Sequence, residues 1–119
     1  MTVQTPLHLF LEGKLFGKIV TYGYETPWAV GRFEAADQHA LRSMIQVCAL
    51  RDDCESWPDL ASREDDDARW QAALERRGIT QADLDRHSSG TWTIETPDGN
   101  QHEIFLPFFD EDGFVTWRW

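Results

Sequence analysis

The chain has 119 residues, 41% of them hydrophobic and 13% aromatic, and a formal net charge of −10. That length and apolar content exclude a disordered acidic tail and give one domain over residues 1–119, large enough to bury a core. The charge argues against a nucleic-acid ligand, because a negative field of several kT repels phosphate backbones and attracts basic surfaces.

The acid is unevenly placed. Residues 1–36 carry three acids and three bases, residues 37–89 twelve acids and seven bases, and residues 90–119 six acids and one base. The first third is therefore neutral, and each later part contributes −5. Near the start, the apolar run Leu7–Leu11 is interrupted by His8 and closed by Glu12. It is too short for a signal-peptide core or a membrane span, so a cytoplasmic protein with no membrane partner is expected. Cys48 and Cys54 lie six residues apart. On one helix their Cα atoms would be about 9 Å apart, beyond the disulfide limit of about 7 Å, so reduced cysteines are expected.

In chain order, strands come first. Leu7, Leu9 and Leu11 alternate with His8, Phe10 and Glu12, the period of a half-buried strand. Gly13-Lys14 is expected to close a hairpin into a second strand, Leu15–Tyr22, rich in Ile, Val, Thr and aromatics. After Pro27 a third extended piece runs from Trp28 to Phe33.

The helical middle spans residues 37–87. Asp37 is an N-cap residue type, and Leu41, Met44, Ile45, Cys48 and Ala49 form one buried helical stripe. Residues 51–63 read as a connection, with Pro58 preventing a continuous helix. Ser62 followed by Asp65 signals a second helix through Trp70, Ala73 and Leu74, stopping at Gly78. Thr80 as N-cap, Asp83 at N3 and an Ile79–Leu84 staple signal a third.

Strands return over residues 91–119. Trp92 and Ile94 alternate with Thr91, Thr93 and Glu95, and Pro97-Asp98-Gly99-Asn100 is a turn. A two-residue loop at Asp98-Gly99 would set Glu103 opposite Ile94. A three-residue loop ending at Asn100 pairs Ile94 with Ile104 and Trp92 with Leu106, and is preferred. A final strand from Phe114 puts Val115, Trp117 and Trp119 on one face. The expected fold class is α+β: an antiparallel sheet from the N- and C-terminal strands, with two to three helices from the middle packed on one face.

Two acidic groups are candidate surfaces. Asp52, Asp53, Glu55 and Asp59 occupy the connection beside Trp57, and Glu64, Asp65, Asp66 and Asp67 open a helix. The helix dipole explains one or two acids in a first turn, but four in succession repel one another. Consecutive helical residues point around the axis and cannot converge on one metal ion, so no metal site is expected. Asp110, Glu111 and Asp112 precede Gly113 and resemble half of a calcium loop, but no later glutamate completes it. Adjacent residues on a strand face opposite ways, so one of Phe108 and Phe109 can be exposed. Phe109, edged by acids, is the candidate anchor for a protein partner. Of the six tryptophans, Trp28, Trp70, Trp92 and Trp117 fit core positions, while Trp57 and Trp119 fit the surface.

Leu74–His87 resembles the first two helices of a bacterial helix-turn-helix, but Ser88-Ser89-Gly90 leads into strand patterning where a recognition helix should follow. That reading is excluded. His8, His39, His87 and His102 share no ligand spacing, no cysteine has a histidine nearby in sequence, and no nucleophile or phosphate-loop motif is present. His87-Ser88-Ser89 reads as a helix cap. No catalytic residue and no cofactor is assigned.

The function these features favour is a small acidic cytosolic interaction protein that binds a basic partner. Its charge and size are analogous to those of bacterial immunity and inhibitor proteins. A ligand binder or enzyme with a pocket between sheet and helices is the first alternative. A homo-oligomer using the final-strand tryptophans is the second.

Overall fold

The computed structural model describes residues 6–25 and 27–118, without the side chains of Tyr22, Tyr24 and Glu25. The sequence expectation for Trp119 lies outside these residues. Three strands, β1 (Leu7–Leu11), β2 (Lys14–Glu25) and β3 (Trp28–Ala35), precede three helices, α1 (Gln38–Cys54), α2 (Arg63–Arg77) and α3 (Gln81–Ser89). Three more strands follow: β4 (Trp92–Glu95), β5 (Gln101–Phe109) and β6 (Phe114–Arg118).

The fold is α+β, and its sheet is a closed antiparallel barrel in the order β1-β2-β3-β6-β5-β4. The expected antiparallel sheet from the N- and C-terminal strands is present, but it closes on itself rather than presenting one face to the helices. Pairing of β1 with β4, Leu9 opposite Ile94 and Leu11 opposite Trp92, joins the two ends and leaves no open edge in that ring. Register shifts in β1, β2 and β5 bend the strands into closure. At Gly17 a Cβ would run into the Phe33 ring and the Glu34 carbonyl, so only glycine fits where β2 passes β3.

Alternation along each strand sends Leu7, Leu9, Ile19, Ile94, Val115 and Trp117 inside. At one end of the barrel Phe16 lies 5.2 Å from Trp92, 5.4 Å from Phe109 and 5.8 Å from Phe33 between ring centres. Met44 and Cys48 of α1 join this interior cluster. The opposite side of α1 carries Val47 and Leu50 into a second cluster with Ala73, Leu74, Ile79 and Leu84. So α1 is buried on two sides rather than along one stripe, and Leu41, Ile45 and Ala49 are only half-buried. The helices do not all lie on one sheet face: α2 packs on α1 instead.

The local expectations for the helix ends hold. Asp37 accepts from His39 N and Ala40 N, Ser62 accepts from Asp65 N, and α2 stops at Gly78 with φ 67°. Thr80 and Asp83 form a complete capping box. The first hairpin turns at Glu12-Gly13, one residue earlier than expected, with Leu11 opposite Lys14.

The β4–β5 register is a second correction. Trp92 faces Ile104 and Ile94 faces His102, two residues from the expected pairing. The loop has three residues, but they are Pro97, Asp98 and Gly99, closed by Thr96 N donating to Asn100 O at 2.9 Å. Gly99, at φ 88°, takes the left-handed position that the sequence reading gave to Asn100, since glycine has no Cβ to clash there.

Candidate functional site

The acids of residues 52–67 lie on the end of α1, the α1–α2 connection and the start of α2, an acidic strip in sequence. Helix α1 runs through Cys54, so Asp52 and Asp53 belong to its last turn and Glu55 is its C-cap; the expected connection beginning at residue 51 is corrected. Glu64, Asp65 and Asp66 open α2, followed by Asp67. The chain between the helices folds back on α2. Trp57 packs edge-on against Trp70 at 5.7 Å, and Arg69 stacks 4.8 Å above the Trp57 ring. Arg69 also donates to Pro58 O and, at 2.7 Å, to Asp66. Trp57 is thus half-buried rather than a free surface ring.

Two acids of the strip are neutralised, Asp66 by Arg69 and Asp53 by Arg77. Asp52, Glu55, Asp59, Glu64, Asp65 and Asp67 are exposed and form no ion pair among the described residues. From Asp66 to Arg77, which holds Asp53, is about 16 Å of helix, so the acids at the end of α1 and those at the start of α2 stand apart along α2.

Asp110, Glu111 and Asp112 occupy the β5–β6 turn. Asp110 Oδ1 accepts from Asp112 N at 2.9 Å and Phe114 N at 3.0 Å, so this carboxylate builds the turn. Gly113 O accepts from Phe33 N, fixing the turn to the barrel. No hydrogen bond or ion pair among the described residues links this turn to the helical strip. Phe109, the expected anchor, is 1% exposed, because it faces the barrel interior and its N–H donates to Cys48 Sγ at 3.4 Å. Its neighbour Phe108 is the exposed one.

A buried polar cluster escaped the sequence reading. His87, 3% exposed on α3, donates from Nε2 to Pro107 O at 2.8 Å. Its Nδ1 accepts from Arg51 Nε at 3.1 Å, which fixes the neutral imidazole with its proton on Nε2. Arg51 also donates to Leu84 O, and Cys48 Sγ lies 3.7 Å from His87 Nε2 and 3.8 Å from Pro107 O. Burial pushes the Cys48 thiol up to about 11 against smaller opposing effects of the Phe109 N–H and Arg51. Burial holds His87 below its ordinary value, with Arg51 adding to the effect and the Pro107 carbonyl opposing it. A protonated thiol beside an imidazole whose proton faces a carbonyl is not an activated nucleophile–base pair. The cluster serves the backbone instead. Leu106 sits at φ 22° and Pro107 has no N–H, so β5 slips register between Phe105 and Phe108. The cluster satisfies the backbone groups that the slip frees.

A groove of about 390 Å³ lies where the β1–β2 turn meets α1 and α3, floored by Leu11, Phe16 and Met44. Of its charged groups, Glu12, Asp37 and Arg86 are held by the protein itself, and Lys14 completes the lining. Glu12 accepts from Thr91 N, Asp37 caps α1, and Arg86 pairs with Asp83. Among the described residues no group of three His, Cys, Asp or Glu side chains is placed to hold a metal, and no helix is long and apolar enough to cross a membrane. No family model, curated protein or solved structure matches the chain.

Proposed function

We propose that this chain is a small cytoplasmic interaction protein that binds a basic partner protein through the acidic strip of α1, the α1–α2 connection and α2. One observation carries this reading: Asp52, Asp53 and Glu55 stand at the C-terminal end of α1. Acids at a helix N-terminus are stabilised by its dipole, which accounts for Glu64 and Asp65. Acids at a C-terminus face partial negative charge and cost about 0.3–1 kcal/mol each. Asp53 is offset by Arg77, but Asp52 and Glu55 have no such cation. Folding gains nothing from them, and a cationic ligand gains an unneutralised surface. The inert Cys48–His87 contact disfavours the enzyme alternative. Blocking a basic partner, as immunity and inhibitor proteins do, is the role such a surface fits.

The test is affinity capture on the immobilised whole chain, paired with a variant carrying Asp52→Asn, Glu55→Gln, Asp65→Asn and Asp67→Asn. The reading expects a protein of high isoelectric point that the variant fails to hold and that elutes between about 0.1 and 0.5 M salt. An acidic partner, or capture indifferent to neutralisation and salt, overturns it.

A further inference from the structure

Of the seven exposed large apolar side chains among the described residues, Leu15 and Leu60 stand apart and the other five gather on one face. Trp28, Phe105, Leu106, Phe108 and Phe114 are 38–70% exposed, and all lie on three adjacent strands, β3, β6 and β5. Ala29, Gly31, Val115, Trp117 and Phe109 point inward, so their strand neighbours point out. The register arranges those neighbours in rows. Arg32 lies opposite Phe114, Val30 opposite Thr116 and Thr116 opposite Phe108, and Arg118 opposite Phe105 with Trp28 alongside. At about 200 Å² per large side chain, the exposed parts of the five apolar residues amount to roughly 500 Å², the upper end for a monomer surface.

Two further features set this face apart. Arg118 is the single base of residues 90–119, and Arg32 lies 5.9 Å over the Phe114 ring. Neither arginine forms an ion pair among the described residues. Leu106 holds a left-handed backbone at φ 22° while half of its side chain meets solvent. A bulky side chain in that region is strained, and only half of this one is packed against the protein.

We propose that this face is the interface of a symmetric homodimer, with the two-fold axis crossing the strands along the Val30–Thr116–Phe108 row. That axis sets the Arg32–Phe114 row of one copy against the Trp28–Arg118–Phe105 row of the other. Arg32 then meets the partner copy's Trp28 ring and Phe114 meets the partner copy's Arg118, so each guanidinium faces an aromatic and no arginine faces an arginine. Arg32, Arg118, Val30 and Thr116 enlarge the face around that apolar centre toward the roughly 800 Å² per copy that a stable interface buries. A cationic, aromatic-rich patch is self-complementary in this way although the whole chain is acidic.

The experiment is sedimentation equilibrium on the whole chain from about 1 to 100 µM. Twice the 13.8 kDa chain mass is expected at the upper end. Phe105→Asp, at the most exposed position, and Arg118→Glu should each raise the dimer Kd by about tenfold or more, with far-UV circular dichroism unchanged. Since either site faces solvent in the monomer, one variant serves if the other fails to fold. Salt separates this interface from the acidic strip: raising it from about 50 to 500 mM screens repulsion between two anionic chains and strengthens the dimer, whereas it releases a basic partner. A chain monomeric at 100 µM, or a dimer that both folded variants leave intact, overturns the proposal.

Discussion

Arg51 donates Nε–H to His87 Nδ1 across 3.1 Å, and that bond leaves the buried imidazole room for only one proton, the one on Nε2. A second proton would have to displace the guanidinium and would set two cations side by side. The same imidazole ties α3 to the carbonyl of Pro107, where β5 leaves its register. One charge state therefore holds a helix against an irregular strand.

Stability should fall on mild acidification. His87 titrates below its ordinary value of 6.5 in the folded chain, so the unfolded chain binds more protons just below that pH. Its contribution is full above about pH 6.5 and is lost as pH falls toward the folded value, with a slope of at most about 1.4 kcal/mol per pH unit. Urea unfolding at pH 7.5, 6 and 5 measures it. His87→Gln, which keeps a donor for Pro107 O, should be less stable at neutral pH and lose this slope. Asp83 acts in a separate window. Burial works to raise its pKa, but the Thr80 N–H and Arg86 outweigh that and hold it below 3.8, so its contribution disappears only under stronger acid.

Cys48 should resist thiol reagents at pH 7.5 until the chain unfolds. It is fully buried, its thiol is pushed up to about 11, and Phe109 N–H donates to its sulfur. Mass spectrometry after brief maleimide exposure, with and without urea, reads this directly. Cys48→Ala removes the acceptor and should cost about 1–3 kcal/mol, the penalty for a buried N–H left without a partner. Fast native labelling at Cys48 contradicts the geometry.

Thr80→Ala should destabilise by about 1 kcal/mol, since it removes one half of the capping box that starts α3. Thermal melts with Ser88→Ala as a reference would separate the cap from ordinary surface change, because Ser88 Oγ only returns a hydrogen bond to Leu84 O within the helix.

The helix caps mark where the sequence was legible. Ser62, Gly78, Thr80 and Asp83 act on backbone groups two to four residues away, so the signal and its effect share one window. Alternation likewise gave the inward faces of β4 and β6, because a strand's two sides are a local property. It does not name the neighbouring strand, so closure by β1 and β4 was invisible, and the β4–β5 pairing slipped by two residues without changing face. Phe109 was misplaced for a related reason. Two adjacent aromatics announce that one faces out, but the slip at Leu106-Pro107 decides which. The proline inside a strand was the available warning of that slip. His87 sits three residues after buried Leu84 on the same helical face, yet its partners Arg51, Cys48 and Pro107 are 20 to 39 residues away. No local pattern encodes that meeting.

The acidic strip yields a prediction that separates its two halves. If carboxylates served the helices, neutralising any of them would weaken the fold. Dipole electrostatics gives opposite signs instead: Asp52→Asn with Glu55→Gln removes charge from the C-terminal end of α1 and should stabilise by up to about 1 kcal/mol, while Glu64→Gln with Asp65→Asn should destabilise by a similar amount. Both pairs should weaken capture of a basic partner, because an exposed carboxylate attracts a cation wherever it sits on the strip. Denaturation and binding measured on the same two variants thus move apart for the α1 pair and together for the α2 pair. Loss of stability on neutralising Asp52 and Glu55 would mean that those acids serve the fold, and the case for a partner surface at that end of α1 would go with it.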